Sequence, residues 1–304
     1  RGMALLPLAA HSVGRSQTPA SKSISIVVPY TAGGPTDAAT RLVAEELARR
    51  TGQTFVVQNK PGAATIIGTE FVRGAPKDGA TWLLATPTTF SLNPILYKNL
   101  KYGRDDFAAI GAVAKVPYGV TVGSAVPAKT MQEFAAWART KDKPFSYGTV
   151  GQGSVPHIVG AAMARTLGVK SLAVHYKGSA PVQADLLGGV IAMSIDPLTT
   201  ALQMHKAGRA RIIGVIDDVR WPDLPDVATM QEQGLPGVQG SSWLGFFAPA
   251  GTPPAALTSM SNALASINSS PEIQTRLRAV GLSPLPLTLP QFEQMIARDA
   301  LWWK

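Results

Sequence analysis

The sequence has no cysteine and little charge: Asp, Glu, Lys and Arg make up 15% of its 304 residues, against roughly a quarter in average soluble domains. The missing thiols exclude disulfide staples, cysteine-ligated zinc or iron–sulfur centres and dithiol redox motifs. They suit an oxidising compartment without requiring one. After the first residues no apolar run approaches the roughly eighteen needed to span a bilayer. Runs of five or more basic residues are also missing. The densest cluster is Arg49, Arg50 and Lys60, so the formal charge of +9 does not read as a nucleic-acid footprint, and no nucleic-acid partner is expected.

What is present is 45% hydrophobic content, 29 glycines and 24 prolines, in a chain long enough to bury a large core in about two lobes. Arg1, the apolar stretch Met3 to Ala10 and the small and polar residues through Ala20 read as the tail of a secretory signal peptide. Residues 1–21 are therefore set apart as a signal remnant, with a disordered N-terminus as the alternative. From Ile24 onward short β-branched runs alternate with segments of helical period. Strands are expected at Ile24 to Val28, Thr54 to Gln58 and Thr81 to Ala85, with helices at Ala38 to Arg50 and Ile66 to Gly74 between them. This is a βαβαβ unit with buried parallel strands.

The Val-, Ala- and Gly-rich segment Phe107 to Val122 leaves that unit, and a second alternation follows. Its helices are Met131 to Arg139, Val155 to Leu167, Pro181 to Leu187 and Thr199 to Ala207; its strands are Phe145 to Tyr147, Leu172 to His175, Ile191 to Ile195 and Ala210 to Ile216. After a Pro/Gly-rich stretch, a strand at Trp243 to Ala248 and three helices beginning at Pro254, Pro271 and Pro290 close the chain. The reading is an α/β protein of two doubly wound lobes joined by two crossover strands. Residues 22–123 with 240–304 form lobe 1, residues 124–239 form lobe 2, and hinges lie near Gly123 and at 237–242. Ligands of such sheets sit at the carboxyl ends of strands, where helix N-termini point.

Four loops repeat one chemistry, a strand followed by glycines and a helix opened by a small polar residue beside proline. They are Pro29 to Asp37, Gly151 to His157, Lys177 to Pro181 and Asp196–Pro197. Ser154, Ser179 and Asp196 are the expected N-caps. Unpaired N–H groups and about half a positive charge at each terminus would bind carboxylates without arginine. Asp37, in a first helical turn, is assigned to local capping or to a water-mediated, amino or hydroxyl contact, because it would repel an anion. Catalytic motifs fail. Gly151-Gln-Gly153 meets Pro156 where a dinucleotide fingerprint needs glycine, no P-loop lysine motif exists, and Ser154 lacks the G-x-S-x-G elbow. The histidines at 11, 157, 175 and 205 lack metal-ligand spacing. No metal, cofactor or catalysis is expected. The rivals are a hydrolase using Ser154 and His157, and the ligand-sensing domain of a regulatory system.

The series Ile26 to Asp37, Val57 to Gly62, Ala75 to Gly79, Asn93 to Tyr97, Tyr147 to His157, His175 to Pro181, Asp185 to Gly189, Leu224 to Thr229, Gly234 to Gly237 and Trp243 to Pro253 resembles, in order and spacing, the tripartite tricarboxylate transporter substrate-binding proteins, also called Bug receptors. The likeness spans residues 22 to 304. It implies a monomeric periplasmic receptor of the Venus flytrap type, which closes on a small organic carboxylate (a di- or tricarboxylate or an aromatic acid) and delivers it to a two-component inner-membrane permease. Carried over residue by residue, Ala32, Gly33, Gly34, Thr36 and Asp37 line one side of the cleft. Gly151, Gly153, Ser154, His157, Lys177, Gly178, Ser179 and Asp196 lie opposite, and Thr88 belongs to the third loop. Tyr30, Phe90, Tyr118 and Trp243 are candidates for specificity, with core packing the expected role of Phe90 and Trp243.

Overall fold

The computed structural model describes residues 23–303 other than 177, 239 and 241. The expected signal segment and Lys177 therefore lie outside the described residues. In chain order, lobe 1 begins with β1 (Ile24–Val28), α1 (Pro35–Thr51), β2 (Phe55–Asn59), α2 (Ile66–Arg73) and β3 (Thr81–Ala85). A π-helical turn at Thr88–Leu92 runs into α3 (Asn93–Leu96), and β4 (Phe107–Val116) follows. Lobe 2 comprises β5 (Tyr118–Gly123), α4 (Met131–Arg139), β6 (Phe145–Thr149), α5 (Val155–Leu167), β7 (Ser171–His175), α6 (Ser179–Leu187), β8 (Met193–Pro197), α7 (Leu198–Lys206) and β9 (Ala210–Ile216). The chain then returns with β10 (Ser242–Pro249), α8 (Pro254–Asn268), α9 (Pro271–Ala279), β11 (Ser283–Pro284) and α10 (Leu289–Trp302).

Two sheets result, a six-stranded one in the order β11-β4-β10-β3-β1-β2 and a five-stranded one in the order β7-β6-β8-β5-β9. Strands Ile24–Val28 and Thr81–Ala85 carry Ile26, Val27, Val28, Leu83 and Leu84 with essentially no exposure, so apolar residues on both faces signal sheets covered by helices on both sides. Helix α1 turns Ala39, Val43, Ala44 and Leu47 into the core and ends at Gly52, whose left-handed φ of 69° lets its N–H cap the Ala48 carbonyl. Phe90, Trp243, Phe247 and Phe292 share one buried aromatic cluster of lobe 1, so Phe90 and Trp243 are core residues.

The sheets are mixed rather than parallel. Strand β10 runs antiparallel to both β3 and β4, and β5 runs antiparallel to both β8 and β9. Each of these strands enters from the other lobe, so its direction is set by the crossing and not by a helix of its own lobe. The strand Tyr118–Gly123, expected in lobe 1, pairs only within the second sheet. The first crossing is accordingly Pro117. Gly123 is no crossing point: it ends β5, where an added Cβ would meet the Leu186 carbonyl oxygen at 2.9 Å.

Candidate ligand-binding site

Between the sheets lies a cleft of about 580 Å³, within the range of small-molecule sites. Lobe 1 contributes Pro29 to Thr31, Gly34 to Thr36, Pro61 to Thr65, Thr86, Thr88 and Tyr97. Lobe 2 contributes Val150 to Gln152, Ser154 to Pro156, Gly178, Ser179 and Pro197, and Val116, Tyr118 and Ser242 come from the crossing strands. The N-terminal caps of five helices fall in this lining: Gly34 of α1, Thr65 of α2, Ser154 of α5, Gly178 of α6 and Pro197 of α7. None of the five receives a side-chain cap, whereas Thr130 caps α4 and Thr288 caps α10, away from the cleft. Helices α8 and α9 also lack such caps, so it is the convergence on one cavity, and not the missing cap, that marks the site. Among the described residues no charged side chain lines the cleft.

Of the residues expected at the site, Tyr30, Gly34, Thr36, Thr88, Gly151, Ser154, Gly178 and Ser179 are brought together in this wall. Ala32, Gly33, Asp37, Gly153, His157 and Asp196 are not part of it. Asp37 is buried behind the α1 cap. It accepts from the Gly33 N–H and the Arg41 Nε–H through Oδ2, and from the Asn59 amide through Oδ1, each at 3.0 Å. Burial alone would raise its pKa, but those bonds outweigh it and hold the carboxyl below its ordinary value. Buried, and with both oxygens accepting hydrogen bonds from within its own lobe, Asp37 braces the loop.

Two expected N-caps are displaced. Pairing of Tyr118 with Pro197 extends β8 through Asp196, so α7 starts after Pro197. Gly178 caps α6, leaving Ser179 as its first helical residue. Asp196 is fully buried and neither carboxyl oxygen has a hydrogen-bond partner. Burial pushes its pKa up to about 6. Ser154 does cap α5, but its Oγ–H donates to the Gly151 carbonyl at 2.7 Å. His157 Nδ1 accepts from the Gly153 N–H at 3.1 Å and packs edge-on against His175. Burial, then the neighbouring His175, lowers the His157 pKa. The pair braces the glycine loop; no Ser154–His157 hydrogen bond forms the dyad a hydrolase would need.

The loop Pro61 to Thr65 was not anticipated as cleft wall. Ala63, Ala64 and Thr65 adopt φ of 45°, 49° and 78°, left-handed values that cost about 1–2 kcal/mol each for residues with a Cβ. Asn93 holds them there, its amide donating to the Ala64 carbonyl at 2.7 Å and to Thr65 Oγ1 at 3.3 Å. The only sequence trace was the Lys60-Pro-Gly62 turn after β2. On the same side, Tyr30 shares a 2.8 Å hydrogen bond with Thr86 Oγ1, and burial raises the pKa values of Tyr30 and Tyr118, so both remain neutral hydroxyls.

Known proteins share this fold. Residues 39–304 match the model of the tripartite tricarboxylate transporter family receptor. A UPF0065 protein of Pseudomonas sp. strain P51 is 32% identical over 264 residues, covering 86% of this chain and 78% of its own. An R. palustris protein solved with adipate superposes with a TM-score of 0.87 at 31% identity, over 92% of this chain and 94% of that one. The periplasmic binding protein BugD does so with a TM-score of 0.84 at 33% identity, over 92% and 95%. Two α/β lobes around a cleft lined by helix N-termini, together with these matches over most of the chain, place the protein in the tripartite tricarboxylate transporter receptor family.

Proposed function

We propose that the protein is a monomeric periplasmic receptor that captures a small organic carboxylate between its lobes and presents the closed form to a two-component membrane permease. The observation that carries this reading is the convergence of five helix N-termini, without side-chain caps, on one cleft with no charged side chain among its described lining residues. Such termini offer fixed N–H donors and partial positive charge to an anion, and lobe closure replaces its water by dipoles that need no reorganisation. The adipate in the R. palustris relative supports a carboxylate as the ligand class. The bracing roles of Ser154 and His157 favour capture over turnover, so the hydrolase reading is set aside.

The test is a thermal-shift series at neutral pH with mono-, di- and tricarboxylates, aromatic acids and their amides, because a ligand that binds only the folded state raises apparent stability with its concentration. A shift for a narrow set of acids, lost in their amides, is expected. Gly34→Val should abolish it while the protein stays folded, since φ at Gly34 is −83° and an added Cβ would find only the Thr31 carbonyl, at 3.8 Å. Equal shifts for acids and amides, or an unaffected Gly34→Val, would sink the reading.

A further inference from the structure

His157 lies in the first turn of α5, and its Nδ1 accepts the N–H of Gly153 at 3.1 Å. That bond requires a neutral ring protonated on Nε2, since an imidazolium carries a proton on each nitrogen and has no acceptor left. The ring packs edge-on against His175 of β7, with centroids 4.7 Å apart, and His175 Nδ1 shares a 2.8 Å hydrogen bond with Thr149 Oγ1. Thr149 Oγ1 in turn lies 3.3 Å from the Gly151 carbonyl oxygen. Two imidazoles therefore hold one glycine loop, and Gly151, Gln152 and Ser154 of that loop are cleft wall.

A proton on Nδ1 would set two donors against each other, and the position of the ring adds to the cost. It sits beside the positive end of α5 and against a second imidazole. No opposite charge offsets this among the described residues. The titratable groups of the strands packed against α5 are Tyr147 on β6, whose hydroxyl donates to the His157 carbonyl at 3.1 Å, His175 on β7, and Asp196 on β8, which has no partner. Burial and His175 together lower the pKa of the braced ring. A released ring takes up a proton more readily, so acid favours the released form, in which the Gly153 N–H loses its acceptor. Ser154 stays tied to the Gly151 carbonyl, so the change loosens the loop without unfolding α5.

We propose that His157 is a pH-sensitive latch on the lobe 2 wall: neutral, it holds residues 151–154 in the form that presents the α5 N-terminus to a ligand, and protonation releases the loop and weakens capture. The release is a property of the chain alone, whereas the weakened capture rests on the carboxylate reading.

Asparagine places an amide oxygen where histidine has Nδ1 but takes up no proton. His157→Asn therefore keeps the acceptor and removes the latch's response, and His157→Ala removes both. Residue-resolved hydrogen exchange by NMR on the full chain, without ligand, reads the protection of the Gly153 amide at pH 7.5 and 5.0, corrected for the intrinsic effect of pH. Protection should fall at least about tenfold on acidification in the unsubstituted protein, stay constant in His157→Asn and be lost at both pH values in His157→Ala. Asp196 and His205 also titrate below neutrality, but they do so in every variant, so the difference made by His157→Asn belongs to His157. Constant protection in the unsubstituted protein, an equal fall in His157→Asn, or full protection in His157→Ala overturns the latch. Thermal shifts with succinate, citrate and benzoate then read capture: a shift seen at pH 7.5 should shrink at pH 5.0 by more in the unsubstituted protein than in His157→Asn. Equal shrinkage in the two overturns the link to capture and leaves the carboxylate reading standing. No shift from any of these acids at pH 7.5 tells against the carboxylate reading, and with it the effect on capture, but not against the latch.

Discussion

Asp37 and Asp196 are the same chemical group at comparable places, each buried beside a strand-to-helix junction that borders the cleft, yet the two lobes treat them oppositely. In lobe 1, Asp37 is hydrogen-bonded by Gly33, Arg41 and Asn59 and its pKa is lowered. In lobe 2, Asp196 has no partner and burial raises its pKa to about 6. The same contrast extends outward. Lobe 1 pins its cleft loops with side-chain amides from Asn59 and Asn93, whereas lobe 2 relies on glycine backbone held by Ser154, His157 and Thr149. One wall of the cleft is braced by a polar network, and the other is lighter and carries an unpaired acid.

Removing the brace is expected to have the largest effect. Asp37→Ala removes the carboxylate that the Gly33 N–H and the part-buried Asn59 amide donate to, while the half-exposed Arg41 guanidinium returns to water, and it should cost about 2–3 kcal/mol in urea unfolding. A loss below about 1 kcal/mol would break the contrast. The acids should also give opposite pH slopes. Because the folded pKa of Asp37 is depressed, its stabilisation is present above the ordinary carboxylate value and is lost as pH falls through the folded one. Because that of Asp196 is raised, the protein is more stable with it protonated and loses stability as pH rises from about 4 through about 6. The loss is at most about 3 kcal/mol for a two-unit shift. Asp196→Asn should flatten that stretch of the stability profile; an unchanged slope would show that Asp196 is not the group responsible.

A smaller effect bears on how the two walls meet. Gly153 in lobe 2 has a φ of 73°, and a Cβ there would fall 2.6 Å from Cδ1 of Leu96 in lobe 1. Gly153→Ala should cost about 1–2 kcal/mol in stability from the left-handed backbone and weaken ligand binding roughly tenfold by holding the lobes apart. Adding Leu96→Ala should recover the binding but not the stability. If the double variant binds no better than Gly153→Ala, the contact between the lips plays no part in closure.

Much of this architecture was legible in local pattern. The helix Met131–Arg139 and the strand Thr81–Ala85 were read with their observed limits, because period, caps and burial all agree there. The errors share one physical origin, contacts made from far along the chain. Asp196 looked like an N-cap because Asp-Pro commonly opens a helix, but the crossing strand β5 draws it into the sheet. The parallel sheets expected from alternation became mixed because β10 and β5 arrive from the opposite lobe. Nothing in Ala63-Ala64-Thr65 announces three left-handed residues, since the enforcing Asn93 lies 29 residues from Ala64. At the cleft, small polar residues beside glycine and proline gave Gly34, Thr36, Ser154 and Ser179, while Gly153, His157 and Asp37, in the same loops, turned inward to hold them.

The placement of β10 also sets an order of assembly. Lobe 2 is one continuous stretch, so all its strands are available once β9 has been made. The sheet of lobe 1 has a vacancy between β3 and β4 that only Ser242–Pro249 can fill, and every residue of that strand is buried. Until β10 arrives, β3 and β4 present open edges and apolar faces at the centre of an incomplete sheet. The first lobe to be synthesised is therefore the last to be completed, and its rate of folding is tied to closing a loop that contains the whole of its partner.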